Sequence, residues 1–207
     1  MNRMGSRGIT MRVLQRISAL IDAMNERIGR LVYWLVLAMV LISAGNAIIR
    51  KVFSMSSNAW LELQWYLFSA VFLLAAGYTL LRNEHVRIDI VAGRLSPRAQ
   101  AWIDVLGTIF FLLPMTIMLT ILSWPYFLRA FEFNEISGSA GGLTLWYARI
   151  LLPVGFLLLS LQGLSELIKR VAFIAGAGPD PVKRHDVHAE AQLVEDIRRM
   201  AEQKGEG

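Results

Sequence analysis

The chain is 207 residues long, 55% hydrophobic and only 18% charged, with a mean hydropathy of +0.47. Just 15 of its 37 charged residues fall within 31–168, too few to clothe a water-soluble fold of that size. Zero cysteines exclude disulfide frameworks, thiol catalysis and Cys-ligated metal or iron–sulfur sites. The net charge of +5 sits mostly beside the apolar runs, which suits anionic lipid headgroups and argues against nucleic acid as a partner. These numbers describe an all-α integral membrane protein with two polar ends.

Residues 1–30 form a polar N-terminal arm in which Val13, Ile17, Leu20, Ile21, Met24 and Ile28 recur at helical spacing. Arg12, Arg16, Asp22, Glu26 and Arg27 fill much of the remainder. A cationic helix with one apolar stripe lies in the bilayer interface or packs on a partner helix; the plainer alternative is a solvent-facing extension of the first span. An uncharged run over 31–49 predicts a first span of about 31–52, too late and too long for a cleaved signal peptide, hence a retained anchor. A second run, 63–81, entered through Glu62, predicts a span over 59–81. In the loop 82–96, Ile88, Val91, Ala92 and Leu95 share a helical face, which predicts an interfacial helix over 84–95. Val86, Ile88 and Ile90 also alternate, but a lone strand at a membrane surface would leave its edges unpaired.

Ser96 followed by Pro97 is a helix start signal, an N-cap and then proline at the first helical position. The third run, 105–128, entered through Asp104, predicts a span over 102–127. The connection Ser137-Gly138-Ser139-Ala140-Gly141-Gly142 reads as flexible. The fourth run, 150–165, extends backward if Arg149 is tolerated, giving a span over 143–168 and a four-span domain over 31–172. Pro114 and Pro153 predict kinks. The tail, 173–207, resumes helical spacing only at Leu193, Ile197 and Met200.

Residues 1–30, 82–98 and 169–207 carry 17 of the 21 lysines and arginines, while the first and last hairpins carry only Arg50, Lys51, Arg129 and Arg149. The positive-inside rule then puts both termini in the cytoplasm. Trp60, Trp65, Tyr66, Trp124, Tyr126, Trp146 and Tyr147 mark the opposite ends of the spans.

No HExxH, GxSxG, Walker A or GxGxxG signature is present. The three histidines, His85, His185 and His188, all lie outside the spans, so no axial pair for a haem is available inside a bundle. No cofactor, metal or catalytic residue is therefore expected. The polar residues within or beside the spans are Asn46, Glu62, Gln64, Asp104, Arg149, Gln162 and Glu166. Glu62, Asp104 and Glu166 sit near span ends, where snorkelling to the interface is cheap. Arg149 requires an outer interface, a lipid phosphate or an acidic mate such as Glu132 or Glu135. The small residues Ser69, Ala70, Ala76 and Gly77 permit close helix approach.

Glu62, an aromatic-rich span ending near Gly77, and His85-Val86-Arg87-Ile88-Asp89 after it form the first part of a recognisable pattern. Glu135 and Ser137, Gly141-Gly142-Leu143 with Trp146, Pro153-Val154-Gly155-Phe156, and Leu161-Gln162-Gly163 with Glu166 continue it. Over roughly 28–172 the chain resembles the small permease subunit of tripartite ATP-independent periplasmic (TRAP) transporters, in the subgroup of mannitol or chloroaromatic type. The resemblance implies a non-catalytic subunit of a sodium-coupled uptake system for small organic acids in a bacterial inner membrane. It also implies two protein partners, a large permease subunit, here a separate polypeptide, and a periplasmic substrate-binding protein, with membrane lipids around the spans. His85, Arg87 and Asp89 match the loop motif and suit a fold or subunit-contact role. Glu62, Arg149, Gln162 and Glu166 are the other candidate subunit or lipid contacts. Two other readings stay open at this level: the membrane anchor of a redox complex, and a small self-sufficient exporter.

Overall fold

The structure, a computed structural model, describes residues 3–54, 57–82 and 95–178. Only a helix satisfies every backbone donor within one segment that crosses hydrocarbon, and the described chain is built accordingly. Its elements are α1 (Arg3–Phe53), α2 (Asn58–Leu81), α3 (Pro97–Gly107), a π-helical turn (Thr108–Leu112), α4 (Leu113–Glu132), α5 (Trp146–Arg149) and α6 (Leu151–Ile174). Four stretches are long and apolar enough to cross a membrane: Val13–Phe53, Asn58–Leu81, Pro97–Glu132 and Trp146–Ile174. The all-α, four-span class follows. The expected loop helix over 84–95, apart from Leu95, and the tail beyond 178 lie outside the described residues. The bundle has a hairpin end, with the 54–57 and 133–145 connections, and a tail end, where α2 and α6 finish.

The polar arm and the first span form one unbroken helix of 51 residues, about 76 Å long at 1.5 Å per residue. Its buried positions are Ser18, Ile21, Asn25, Gly29 and Val32, a seam spaced three and four apart. The apolar stripe seen in the sequence is mostly not this seam: Val13, Ile17 and Leu20 stay exposed, Leu20 by 72%, while Ile21 alone of that stripe is buried. Small and polar residues take the inner face because α2 and α6 come close there. The Tyr78 ring lies against Gly29, and the Asn25 amide lies against Gly77.

Local signals explain the helix ends. Ser96 Oγ accepts the Ala99 N–H at 3.3 Å, and Pro97 occupies the first turn of α3. At the far end of α6, Gly176 takes a left-handed φ of 71°. There the Ala177 N–H bonds the Ala172 carbonyl and the Gly176 N–H bonds that of Phe173, both closing orphan carbonyls. The arm reinforces this cap, since Gln15 Nε2 donates to the Ala177 carbonyl at 3.2 Å. The two prolines expected to kink their spans sit at different kinds of junction. Pro114 is the second residue of α4, after the π turn whose Leu113 N–H reaches back to the Thr108 carbonyl. Pro153 sits in the first turn of α6, after an interruption at Ile150, where a missing N–H leaves nothing unpaired.

Helix α6 is the hub, touching α1, α2, α3 and α4. Pro153, Gly155, Leu158, Ser160, Gln162, Gly163 and Ser165 are all buried on it. A Cβ at Gly155 would lie 2.7 Å from the Leu73 Cβ and 2.9 Å from its carbonyl oxygen, so α2 and α6 touch backbone to backbone. Gly155→Ala is therefore expected to destabilise the bundle by about 1–3 kcal/mol, seen as a lower unfolding temperature in detergent. Gly107→Ala, with nothing within 4 Å of its added Cβ, is the matched control. It should leave stability unchanged or raise it by up to about 1 kcal/mol through helix propensity.

Candidate functional site

Polar side chains converge at the tail end, and they arise from two helical stripes that meet. On α6, Gln162, Ser165, Glu166 and Lys169 follow a spacing of three, four and seven that puts them on one face. On α1, Ser18, Asp22 and Asn25 do the same. Where the stripes face each other, Asn25 Nδ2 donates to Gln162 Oε1 at 2.9 Å. Gln162 Nε2 donates to Asp22 Oδ1 at 3.0 Å and to Glu166 Oε1 at 3.2 Å. Ser165 Oγ donates to Asp22 Oδ1 at 2.7 Å, and the Ser18 and Ser165 hydroxyls share a hydrogen bond of 2.7 Å. Gln162, Asn25 and Ser165 have no exposed surface.

Ion pairs continue this network to the other helices. Lys169 Nζ lies 2.8 Å from Asp22 Oδ2 and 2.7 Å from Glu166 Oε1, between the two carboxylates. Arg82, at the end of α2, pairs with Glu26 of α1 at 2.6 Å and stacks over the Tyr78 ring. The buried Arg170 pairs with Asp104 of α3 at 2.5 Å. This belt therefore joins α1 to α2, α1 to α6, and α3 to α6. A carboxylate pair can attract a cation, but here the Lys169 ammonium already supplies the positive charge. Among the described residues no group of three His, Cys, Asp or Glu side chains could hold a metal ion.

A second cluster closes the hairpin end. Glu62 accepts hydrogen bonds from the Ser137 hydroxyl and from the Leu143 N–H, the latter at 2.7 Å. A side chain at Gly142 would collide with Ser137 and approach the Glu62 carboxylate to 2.9 Å, so this position has no room for one. Asn58 Nδ2 donates to the Ala140 carbonyl at 3.0 Å, and Ile136 pairs with Thr144 as an isolated antiparallel bridge. The glycine-rich connection expected to be flexible is thus tied down by side chains from the start of α2. Beside it, Arg149 pairs with Glu135 at 2.6 Å and lies 4.1 Å from the centre of the Tyr126 ring. An aromatic series, Trp124, Phe127, Phe131, Trp146 and Tyr147, runs along the same end with successive ring centres 3.8–5.9 Å apart.

Of the residues singled out from the sequence, Gln162 and Glu166 fall together in the tail-end belt, and Glu62 and Arg149 in the hairpin-end cluster. Neither Glu62 nor Glu166 is a lone snorkelling group, since each is bonded within the chain. His85, Arg87 and Asp89 lie outside the described residues. Sequence reasoning did not single out Asn25, Ser18, Ser165, Lys169 or Arg170. The available signal was the polar stripe on α6, readable as helical spacing at the end of an apolar run.

A family model described as "Tripartite ATP-independent periplasmic transporters, DctQ component" matches residues 39–173, from within α1 to the last turn of α6. The chain belongs to this family and is the small membrane subunit of a TRAP transporter. No curated protein and no solved structure matches it. The match contains all four stripe residues of α6 and the Glu62 clamp, whereas the arm residues that meet α6, Ser18 to Asn25, precede it.

Two substitutions test these clusters. Gln162→Leu keeps the volume but removes three hydrogen bonds at a site with no solvent access. It is expected to cost about 1–3 kcal/mol of stability in a detergent unfolding assay, because Asn25 and Asp22 lose partners they cannot replace. Glu62→Ala should release the hairpin. The measurement is hydrogen exchange of the Leu143 amide, expected to quicken by about tenfold or more as its acceptor disappears; unchanged protection would mean the clamp is not what orders the loop.

Proposed function

We propose that this chain is a non-catalytic framework subunit of a sodium-coupled, binding-protein-dependent transporter for small organic acids. In this reading it packs against the large permease subunit and extends the static part of the membrane complex, against which the transport domain moves. The periplasmic binding protein delivers substrate to the complex at the hairpin end. The assembly sits in the bacterial inner membrane with both termini of this subunit in the cytoplasm, in keeping with the excess of Lys and Arg at the tail end.

One observation carries the proposal: the ionisable groups of the tail-end belt are engaged in tying helix to helix. Asp22, Glu26, Arg82, Asp104, Glu166, Lys169 and Arg170 each have a partner on a neighbouring turn or helix. An ion-coupled engine needs carboxylates that change partners as ions bind and leave. Charges neutralised in fixed interhelical pairs suit a rigid frame instead. The membership of a tripartite transporter family supports the assembly with other subunits.

The direct test is gentle-detergent purification of the tagged chain from its native membrane, with mass spectrometry of the recovered proteins. A much larger polytopic permease should accompany it. Recovery of the chain alone, or with haem or flavin subunits, would contradict the reading. In vesicles carrying the complete system, uptake from a panel of labelled small organic acids should require an inward sodium gradient and fall to background when this chain is deleted.

A further inference from the structure

The half of α1 nearer the hairpin end differs from the other long helices of the bundle. Among the described residues from 33 to 54, none is buried within the chain, whereas α6 buries residues along most of its length. Exposed leucine and isoleucine need no explanation in a lipid environment. A carboxamide does, and Asn46 lies here, about 6 Å along the helix from Arg50. Several hydroxyls elsewhere in the spans are satisfied by their own helix. The hydroxyls of Thr79, Thr116, Thr120, Ser123 and Ser160 each bond the carbonyl four residues earlier. Asn46 makes no such bond and has no other partner among the described residues. Unlike Lys or Arg, it is too short to reach the headgroups by snorkelling.

Asn46 stands in a groove of about 240 Å³ lined by Leu41, Ile42, Gly45, Asn46, Ile49 and Trp60. Gly45 opens the floor of that groove, since a Cβ placed there would meet no atom within 4 Å. A missing side chain beside an unpaired amide suits a helix that approaches the backbone closely and offers a hydrogen bond. An acyl chain would fill the groove but leave the amide without a partner.

We propose that this groove seats a transmembrane helix of the large permease subunit, one with a small residue opposite Gly45 and a hydrogen-bonding side chain opposite Asn46. This rests on the subunit reading above and specifies the surface through which it operates. The exposed outer half of α1 is then an intersubunit face, and the polar seam of its arm holds that face in position against α6.

The absence of native cysteines makes site-specific cross-linking clean. In membranes containing the complete transporter, Gly45→Cys treated with a short bis-maleimide should cross-link to the large subunit once that subunit carries a single cysteine on its contacting helix, found by scanning. Ala47→Cys, exposed and outside the groove, should not. Separately, Gly45→Phe should abolish co-purification of the permease, Asn46→Leu should weaken it by about three- to thirtyfold, and Ala47→Phe should leave it intact. Unfolding of each variant chain in isolation separates lost contact from lost folding. If the unmodified chain recovers no permease, the subunit reading fails. If it recovers permease and the folded Gly45→Phe and Asn46→Leu variants recover as much, the subunit reading stands and this surface assignment is overturned. Cross-linking of Gly45→Cys only to a second copy of itself overturns it as well, in favour of a homodimer face.

Discussion

Inside a bilayer a polar side chain has no water to fall back on, so each one must find its partner in the protein. The organisation of this chain follows from how it meets that condition. The α1 arm and α6 each carry a polar stripe, and the two stripes satisfy one another through Asn25, Gln162, Asp22, Ser165 and Lys169. Helices in lipid gain little from burying apolar surface against each other, so close packing and hydrogen bonds must supply much of their cohesion. The seam meets both needs, with small residues where backbones approach and amides where bonds are required.

The remaining architecture is arranged around that seam. Helix α6 contacts every other helix of the described bundle, and Gly155 and Gly163 let α2 and the π turn come close to it. Ion pairs at the tail end and the Glu62 clamp at the hairpin end fasten the two ends of the bundle. A frame braced at both ends with its charges paired is suited to bearing against a moving neighbour. Among the described residues, the half of α1 nearer the hairpin end is the stretch left outside this internal bracing.

Much of the fold could be read from residues close together in sequence. Uninterrupted apolar runs announced the four spans, Ser96 with Pro97 announced the start of α3, and the hairpin charges offered Glu135 as a mate for Arg149. Features that depend on distant residues were not legible in the same way. Asn25 and Gln162 are 137 positions apart, and Glu62 and Leu143 are 81 apart, so no local pattern connects them. The arm's apolar stripe, read as facing the bilayer interface or a partner helix, stays largely exposed, while the bundle packs through the neighbouring face of serine, asparagine and glycine. Hydrophobic periodicity identifies the inner face of a helix in water, where apolar groups must hide; beside lipid, polarity and small size identify it better. The family membership located the chain among transporter components, and the paired charges then favoured a framework role over an engine.

Whether the bundle stays rigid while its complex works is tested most directly by a distance measurement. In the cysteine-free chain, spin labels at Phe72→Cys on α2 and Ile121→Cys on α4, both exposed and outside the α1 groove, report the width of the bundle. Double electron–electron resonance on the reconstituted transporter would compare the sodium-free state with the sodium- and substrate-loaded state. The account predicts one narrow distance distribution that does not shift between the two. A shift of several ångströms, with no label in the large subunit needed to produce it, would show that this subunit itself moves during transport and would contradict the static-frame reading.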